Sequence, residues 1–172
     1  MSERPILLNT AMVRAVLAGR KTQTRRPGAH PPVGWHPGHT LWVRETWAPG
    51  GTPGAPGAYR YRADGDFLSP GEKWRPSIHM PRAASRLTLH VTRVWRERLM
   101  DISWQNILAE GVGDDWDRRV IGAFQIPTPE MQDELRASFQ HLWASIYWEA
   151  PGRRWNPETW VWVCEFSAPR PV

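Results

Sequence analysis

Lysine is almost absent from this sequence. Of the 22 basic residues only Lys21 and Lys73 are lysines, and all the others are arginines. Arginine keeps its proton in proteins, whereas a lysine ammonium can lose its proton when it is buried or lies near other cations. Lys21, which lies among arginines, therefore indicates either a solvated basic loop or a site that needs a titratable amine. Lys73, in a loop-like Pro-Gly-Glu-Lys-Trp segment, shows that lysine also occurs here without an evident role.

Cysteine and long apolar runs are scarce as well. The single cysteine, Cys164, excludes an intramolecular disulfide, and none of the 6 histidines pairs with it or with another histidine at metal-ligand spacing. We therefore expect no metal and no organic cofactor. The apolar run near the N-terminus is too short for a signal peptide, and no stretch is long enough to span a membrane. These absences predict a cytoplasmic protein with no membrane partner.

Positive charge and tryptophan are abundant. The formal net charge is +5 and the sequence pI is about 10.1, which favours an anionic partner such as nucleic acid or a phosphorylated nucleoside. The basic residues are scattered along the chain, which argues against a disordered polybasic tail. The 12 tryptophans fit core packing for the most part, and base stacking is the other common use of an indole face.

The order of predicted elements indicates a single α+β domain over residues 1–172. Strands are predicted over residues 5–8, 40–47, 58–62, 86–96 and 160–166, and helices over residues 10–18, 103–110 and from residue 128 onward. Proline- and glycine-rich loops occupy residues 27–38 and 49–57. The strands do not alternate strictly with helices, so we expect a small curved sheet or β-barrel with flanking helices rather than a doubly wound fold.

The segment after the first helix contains a lysine and two threonines. A threonine hydroxyl is a weak nucleophile unless a neighbouring base takes its proton, and a neutral lysine can be that base. In a regular strand Lys21 and Thr24 point to opposite faces, so they meet only if the chain turns after Gly19. Thr22 is a rival for the same role. The surrounding cations, which would depress the pKa of the lysine and suit phosphate, are Arg20, Arg25 and Arg26.

Two other regions are candidates for chemistry or binding. Glu110 ends the second predicted helix, where a carboxylate is either an ordinary exposed residue or a group held for acid/base work. Aromatic residues interleaved with arginines in residues 59–64 and 74–82 fit base stacking combined with phosphate contact. Arg44 and Glu45, which alternate with Trp42 and Val43, fit the solvent-facing pair of a strand as well as a binding role. His79 fits a structural histidine equally well. The binding candidates in these regions are Arg44, Trp47, Tyr61, Trp74, His79 and Arg82.

Taken in order, these segments resemble an ASCH domain of the PUA-like superfamily. The resemblance rests on Gly-Arg-Lys-Thr-Gln-Thr-Arg-Arg at residues 19–26, Leu-Trp-Val-Arg-Glu-Thr-Trp at 41–47, Ser-Ile-His-Met-Pro-Arg at 77–82, Ala-Glu-Gly at 109–111 and Trp-Val-Trp-Val at 160–163. It spans nearly the whole chain and is greatest for the longer ASCH proteins of phages and prophages. Relative to the minimal domain, residues 27–38 and 49–57 are insertions.

This resemblance implies a small PUA-like β-barrel whose cleft takes RNA or a modified nucleoside. Small bacterial ASCH proteins that are similar in the lysine–threonine segment hydrolyse the acetyl amide of 4-acetylcytidine. Their nucleophile, activating lysine and glutamate fall here on Thr24, Lys21 and Glu110. The sequence thus leaves three alternatives: an amide hydrolase, a non-catalytic RNA-binding module, or a ribonuclease that would use His79 with a lysine.

Overall fold

The computed structural model describes residues 3–50, 58–113, 126–148, 150 and 152–167. The strands are β1 (Glu3–Leu7), β2 (Gln23–Pro27), β3 (Thr40–Arg44), β4 (Trp47–Pro49), β5 (Tyr59–Tyr61), β6 (Thr88–Arg98) and β7 (Trp160–Ser167). The helices are α1 (Thr10–Leu17), α2 (Trp104–Ala109) and α3 (Pro129–Tyr147), and short 3-10 turns cover Ser77–His79, Arg82–Ala84 and Leu99–Asp101. The predicted α+β class is confirmed.

Five strands form one sheet in the order β1-β3-β6-β7-β2, and β4 pairs with β5 in a separate ribbon. The pairing of β1 with β3 is parallel, and the other pairings are antiparallel. The outer strands β1 and β2 do not pair with each other in the described part of the chain, so the sheet is open. It curves enough for Arg26 on β2 to donate from Nη2 to the carbonyl oxygen of Leu7 on β1, at 3.1 Å.

The main sheet is covered on both faces, because apolar residues alternate along its strands. One core contains Met12, Val13 and Val16 of α1 together with Cys164 and Phe166 of β7. On the other face Val161 and Val163 of β7 pack with α2 and with the aromatic side of α3. The alternation of Trp160–Ser167 predicts such a central strand, and the structure confirms it.

Local sequence signals account for the helix ends. Asn9 accepts the backbone N–H of Met12 at 2.9 Å and caps α1, and Thr128 accepts that of Met131 at 3.4 Å and caps α3. Pro129 opens α3 at a position where the missing N–H costs nothing. The α3 helix packs against α2, and its Leu142 and Ile146 also face Met12 of α1.

Two expectations of strand extent need correction. Residues 40–47 belong to two strands in different sheets, β3 and β4. Strand β3 ends before Glu45, whose carboxylate is buried against Arg86. The residues after Lys21 form a true strand, β2, which the sequence did not indicate because only polar and charged side chains precede Pro27. The predicted insertion at 49–57 lies mostly outside the described residues, and the single-domain assignment stays a prediction.

Candidate functional site

Lys21 is positioned by the turn that ends α1. Gly19 adopts a φ of +69°, and the backbone N–H groups of Arg20 and Lys21 both donate to the carbonyl oxygen of Ala15, at 2.8 and 3.0 Å. The chain then forms an isolated antiparallel bridge between Lys21 and Glu110, which follows α2. The two residues therefore face each other although they are far apart in the sequence.

The ammonium of Lys21 is completely buried and fully partnered. Its side chain has 0% exposure, and Nζ lies 2.6 Å from Oε2 of Glu110, 2.9 Å from the carbonyl oxygen of Glu110 and 2.7 Å from that of Gln23. Three acceptors match the three protons of a charged lysine. The resting site therefore holds Lys21 as the ammonium, in an ion pair with Glu110.

The same carboxylate binds a second cation. Oε1 of Glu110 accepts from Nη1 of Arg25 at 2.9 Å, and Arg25 also lies 2.8 Å from Oε1 of Glu97. Gln23 accepts from Arg25 at 3.3 Å. Lys21, Arg25, Glu97 and Glu110, which we call the buried charge cluster, thus contain two positive and two negative charges and need no external counter-ion.

Burial and charge act in opposite directions on the two partners. Burial lowers the pKa of Lys21 from its ordinary value, and the negative charge of Glu110 only partly offsets this effect. Burial alone would raise the pKa of Glu110, but the charges and hydrogen bonds of Lys21 and Arg25 outweigh it and hold that pKa below its ordinary value. The lowered pKa of Glu110 favours its ionised carboxylate form. The lowered pKa of Lys21 means that its ammonium loses a proton more easily than an ordinary lysine does.

Gly111 allows α1 to approach the cluster. It has a φ of +89°, and a Cβ built there would lie 2.7 Å from Cβ of Ala15 and 3.0 Å from Cβ of Lys21. Any side chain at this position would therefore strain the backbone and push Lys21 away from its acceptors. The Glu-Gly pair at the end of α2 is a geometric requirement of the site.

Thr24 lies on the other face of β2. Gln23 and Arg25 point toward the cluster, and the alternation of the strand directs Thr24 and Arg26 to the opposite side. Among the described residues the hydroxyl of Thr24 accepts from Nη1 of Arg26 at 2.8 Å, and Lys21 makes its hydrogen bonds elsewhere. The structure brings Lys21 and Glu110 together, and it pairs Thr24 with Arg26 instead of with Lys21.

A groove and a small cavity lie on either side of Arg26. The groove, of about 400 Å³, is lined by residues that include Asn9, Thr46, Ser77 and Ile146 as well as Arg26. The cavity, of about 10 Å³, touches Arg25, Arg26 and Glu110 under the aromatic side chains of α3. Such a volume is close to the minimum that can hold one water molecule. Arg26 therefore separates an open groove from the inner space that reaches Glu110.

Several predicted phosphate-binding arginines are engaged within the protein. Arg25 is buried in the charge cluster, so the predicted phosphate contact does not fit its position. Arg20 donates to the carbonyl oxygen of Gly113 at 3.2 Å. Arg44 donates to the carbonyl oxygens of Met80 and Ile78, while Arg82 forms an exposed ion pair with Glu3 at 3.0 Å.

The predicted stacking residues fall into two groups. Trp47 is buried against Met80 and Ala84, so base stacking on its ring does not fit this arrangement. Tyr61 and Trp74 line a pocket of about 240 Å³ that also contains Tyr59 and Phe67.

His79 is exposed at the end of a 3-10 turn, whereas Lys21 is wholly buried with Glu110. The two do not form the exposed pair that a ribonuclease would require.

Sequence reasoning missed two features that bear on the site. Glu97 completes the charge cluster, and it lies beyond the predicted end of the strand at residue 96 because β6 continues to Arg98. Arg86 holds the buried carboxylate of Glu45 with two hydrogen bonds of 3.0 and 3.1 Å. The available signal for Glu97 was its position two residues after Trp95, which places both side chains on the same face of the strand.

Two kinds of feature are absent from the part of the chain that the structure describes. No group of three or more His, Cys, Asp or Glu side chains there is arranged to hold a metal ion. No helix within the same part of the chain combines the length and apolarity needed to cross a bilayer.

No protein-family model and no curated protein matches this sequence. The structure is similar to the crystal structure of an ASCH domain from Lactobacillus crispatus JV V101, with 12% sequence identity and a TM-score of 0.47. The alignment covers 97% of this chain and 79% of that chain. At this identity the likeness concerns the course of the chain and gives no residue its role.

Proposed function

We propose that this protein binds an RNA base or a modified nucleoside in the groove beside Arg26, and that it hydrolyses an amide on that base. The observation that carries the proposal is the position of Arg26, which lines the groove and donates to the hydroxyl of Thr24. A groove of about 400 Å³ has the volume of a small-molecule site and combines apolar walls with a few polar groups. A carbonyl or phosphate oxygen would compete with Thr24 for the guanidinium.

The chemistry would use both sides of β2. A bound substrate would draw Arg26 from Thr24, and the freed hydroxyl would attack the acyl carbon. The hydroxyl proton must reach a base, and the cavity that touches Arg26 and Glu110 offers room for one bridging water. Lys21 would first release its ammonium proton to solvent through that water, and its neutral amine would then accept the threonine proton. As the C–N bond breaks, Glu110 would take that proton from Lys21 and transfer it to the leaving amine. Water would then hydrolyse the acyl-threonine and regenerate the hydroxyl.

An acylated cytosine is the substrate class that fits this proposal. The acetyl amide of 4-acetylcytidine carries a carbonyl oxygen for Arg26 and a neutral base for the apolar walls, and its hydrolysis would release cytidine and acetate. Because the nucleoside is uncharged, its turnover should depend little on salt.

The proposal predicts that hydrolysis of 4-acetylcytidine requires both Lys21 and Thr24. Cytidine release by the purified chain should fall by about 10²- to 10⁴-fold in Thr24→Ala and in Lys21→Arg, because arginine keeps the charge but cannot act as a base. Thr24→Ser should retain part of the activity. Lys73→Arg is the matched control, since Lys73 is exposed and should leave the rate unchanged.

Failure of the wild-type chain to release cytidine would end the hydrolase part of the proposal. Calorimetric titration with cytidine would then decide whether the groove binds the nucleoside without turnover. A Thr22→Ala variant that loses activity while Thr24→Ala keeps it would move the nucleophile to Thr22. Circular dichroism of each variant distinguishes lost chemistry from lost folding.

A non-catalytic RNA-binding module is the second candidate function. It is favoured by the hydrogen bonds of Lys21, which hold it as an ammonium, and by the partnership of Thr24 with Arg26 rather than with a base. In that case the buried charge cluster is structural, and the exposed arginines supply the affinity. Binding would then weaken steeply with salt.

A further inference from the structure

The register of β2, β7 and β6 places arginines and tryptophans in two neighbouring rows. Arg26 lies opposite Trp162, which lies opposite Arg96, and in the next row Trp160 lies opposite Arg98. Cross-strand partners and residues two positions apart share one face of a sheet. These five residues, which we call the arginine–tryptophan strip, therefore extend from the candidate site toward the end of β6.

Trp160 is the most exposed aromatic ring of the strip, with 40% of its surface accessible. The guanidinium carbons of Arg96 and Arg98 lie 5.0 and 5.5 Å from the centroid of its ring. These cation–π contacts favour a fixed orientation of the exposed indole ring. A flat indole beside two planar guanidinium groups is a surface on which an unpaired base can stack.

The charge of the strip is not compensated within the described part of the chain. Arg96 and Arg98 form no ion pair with an acid among those residues, and Arg26 donates only to neutral oxygens of Thr24, Arg25 and Leu7. This differs from the buried charge cluster, in which each cation has a carboxylate partner. Three uncompensated cations on one face, in a chain of net charge +5, complement a polyanion.

We propose that the arginine–tryptophan strip binds single-stranded RNA, with one base stacked near Trp160 and the backbone directed toward Arg26. The inference rests on the proposed function for the class of ligand, and it specifies that the ligand is a base within a strand rather than a free nucleoside. Arg26 connects the two regions because it belongs both to the strip and to the groove. A duplex would present no free base to Trp160 and should bind more weakly.

The test is fluorescence anisotropy of the full chain with a labelled single-stranded 12-nucleotide RNA, titrated at several salt concentrations. Trp160→Ala should weaken binding on the order of ten-fold, as expected for the loss of one stacked base. The double variant Arg96→Gln/Arg98→Gln should weaken binding and make the salt slope shallower by about 1.4, since each phosphate contact on a single strand contributes about 0.7. A 12-base-pair RNA duplex is the competing probe.

Two control variants separate the strip from general effects of surface tryptophan and charge. Trp148→Ala removes a tryptophan that is 74% exposed on the C-terminal side of α3, and Arg4→Gln removes an exposed arginine of β1. Both should bind the RNA as the wild-type chain does. Equal affinity in the wild type, Trp160→Ala and the double variant would overturn the proposal, as would a wild-type chain that binds no single strand or prefers the duplex.

The strip and the proposed function can fail separately. Release of cytidine from free 4-acetylcytidine without binding of the 12-nucleotide RNA would leave the hydrolase and remove the strip. Binding that depends on Trp160, without cytidine release, would support the strip and remove the hydrolase.

Discussion

Two buried glutamates of this protein are held by arginine in different ways. Glu110, 4% exposed, binds Lys21 through one carboxylate oxygen and Arg25 through the other. Glu45, 1% exposed, receives both of its side-chain bonds from Arg86, which also binds Asp64 at 2.8 Å. Glu110 thus binds two cations, one of which also binds Glu97, whereas Glu45 shares its single cation with Asp64.

This difference sets the direction in which the pKa of each group is shifted. Burial raises the pKa of Glu45, and one shared arginine does not offset that effect. The pKa of Glu110 is lowered because Lys21 and Arg25 together outweigh its burial. The number of cations on a buried carboxylate, more than the depth of burial, therefore decides whether its pKa is raised or lowered. Only the Glu110 region adds a titratable amine and an adjoining groove to its ion pairs.

Glu110→Gln should give the largest loss of stability. The substitution removes the carboxylate that pairs with both Lys21 and Arg25, and it leaves Glu97, which contacts Arg25, as the one carboxylate of the cluster. Breaking a buried ion pair costs about 3 to 5 kcal/mol. The free energy of unfolding from urea titration at pH 7 measures the loss. A change below about 1 kcal/mol would contradict a stabilising role for the ion pairs of Glu110 with Lys21 and Arg25.

Glu45→Gln should cost less, about 1 to 2 kcal/mol. Arg86 keeps its two hydrogen bonds to Asp64, and the neutral amide removes a charge that burial already disfavours. The same urea titration compares the two variants directly. If Glu45→Gln proved as costly as Glu110→Gln, the count of cations would not explain the difference between the two sites.

The smallest effect is a pH dependence of opposite sign at the two glutamates. Glu110 has a lowered pKa, so its contribution to stability is present above its ordinary value of 4.5 and is lost as the pH falls through its folded-state pKa. Glu45 has a raised pKa, so the wild type gains stability relative to Glu45→Gln as the pH falls toward 4.5.

Urea titrations of the wild type and both variants from pH 7 to about pH 3 measure these differences. Two differences that change with pH in the same direction would contradict the assigned shifts.

Local signals were sufficient to predict most of the helices and the central strand. Asn9 before α1, and Thr128 with Pro129 before α3, mark helix starts that the structure reproduces. The alternation in Trp160–Ser167 predicted a strand covered on both faces. In each case the signal lies within one segment, so no knowledge of the partner element was needed.

The parts that could not be predicted depend on pairing between distant segments. The β2 strand has no apolar alternation and exists because β7 pairs with it. The contact of Lys21 with Glu110 joins residues 89 positions apart, and only the resemblance to ASCH domains suggested it. Spacing indicated that Lys21 and Thr24 would point to opposite faces of a regular strand. It could not indicate that Arg26 would donate a hydrogen bond to the hydroxyl of Thr24.

Because Lys21 is buried, its rate of chemical labelling can report how often the site becomes accessible to solvent. Lys73 is the other side-chain amine of the chain and is exposed, so an amine-reactive acylating reagent should label it rapidly. Lys21 can be labelled only when the bridge to Glu110 opens and the ammonium gives up its proton. The ratio of the two labelling rates, read by mass spectrometry from one sample, therefore measures how often the interior of the site becomes open to solvent.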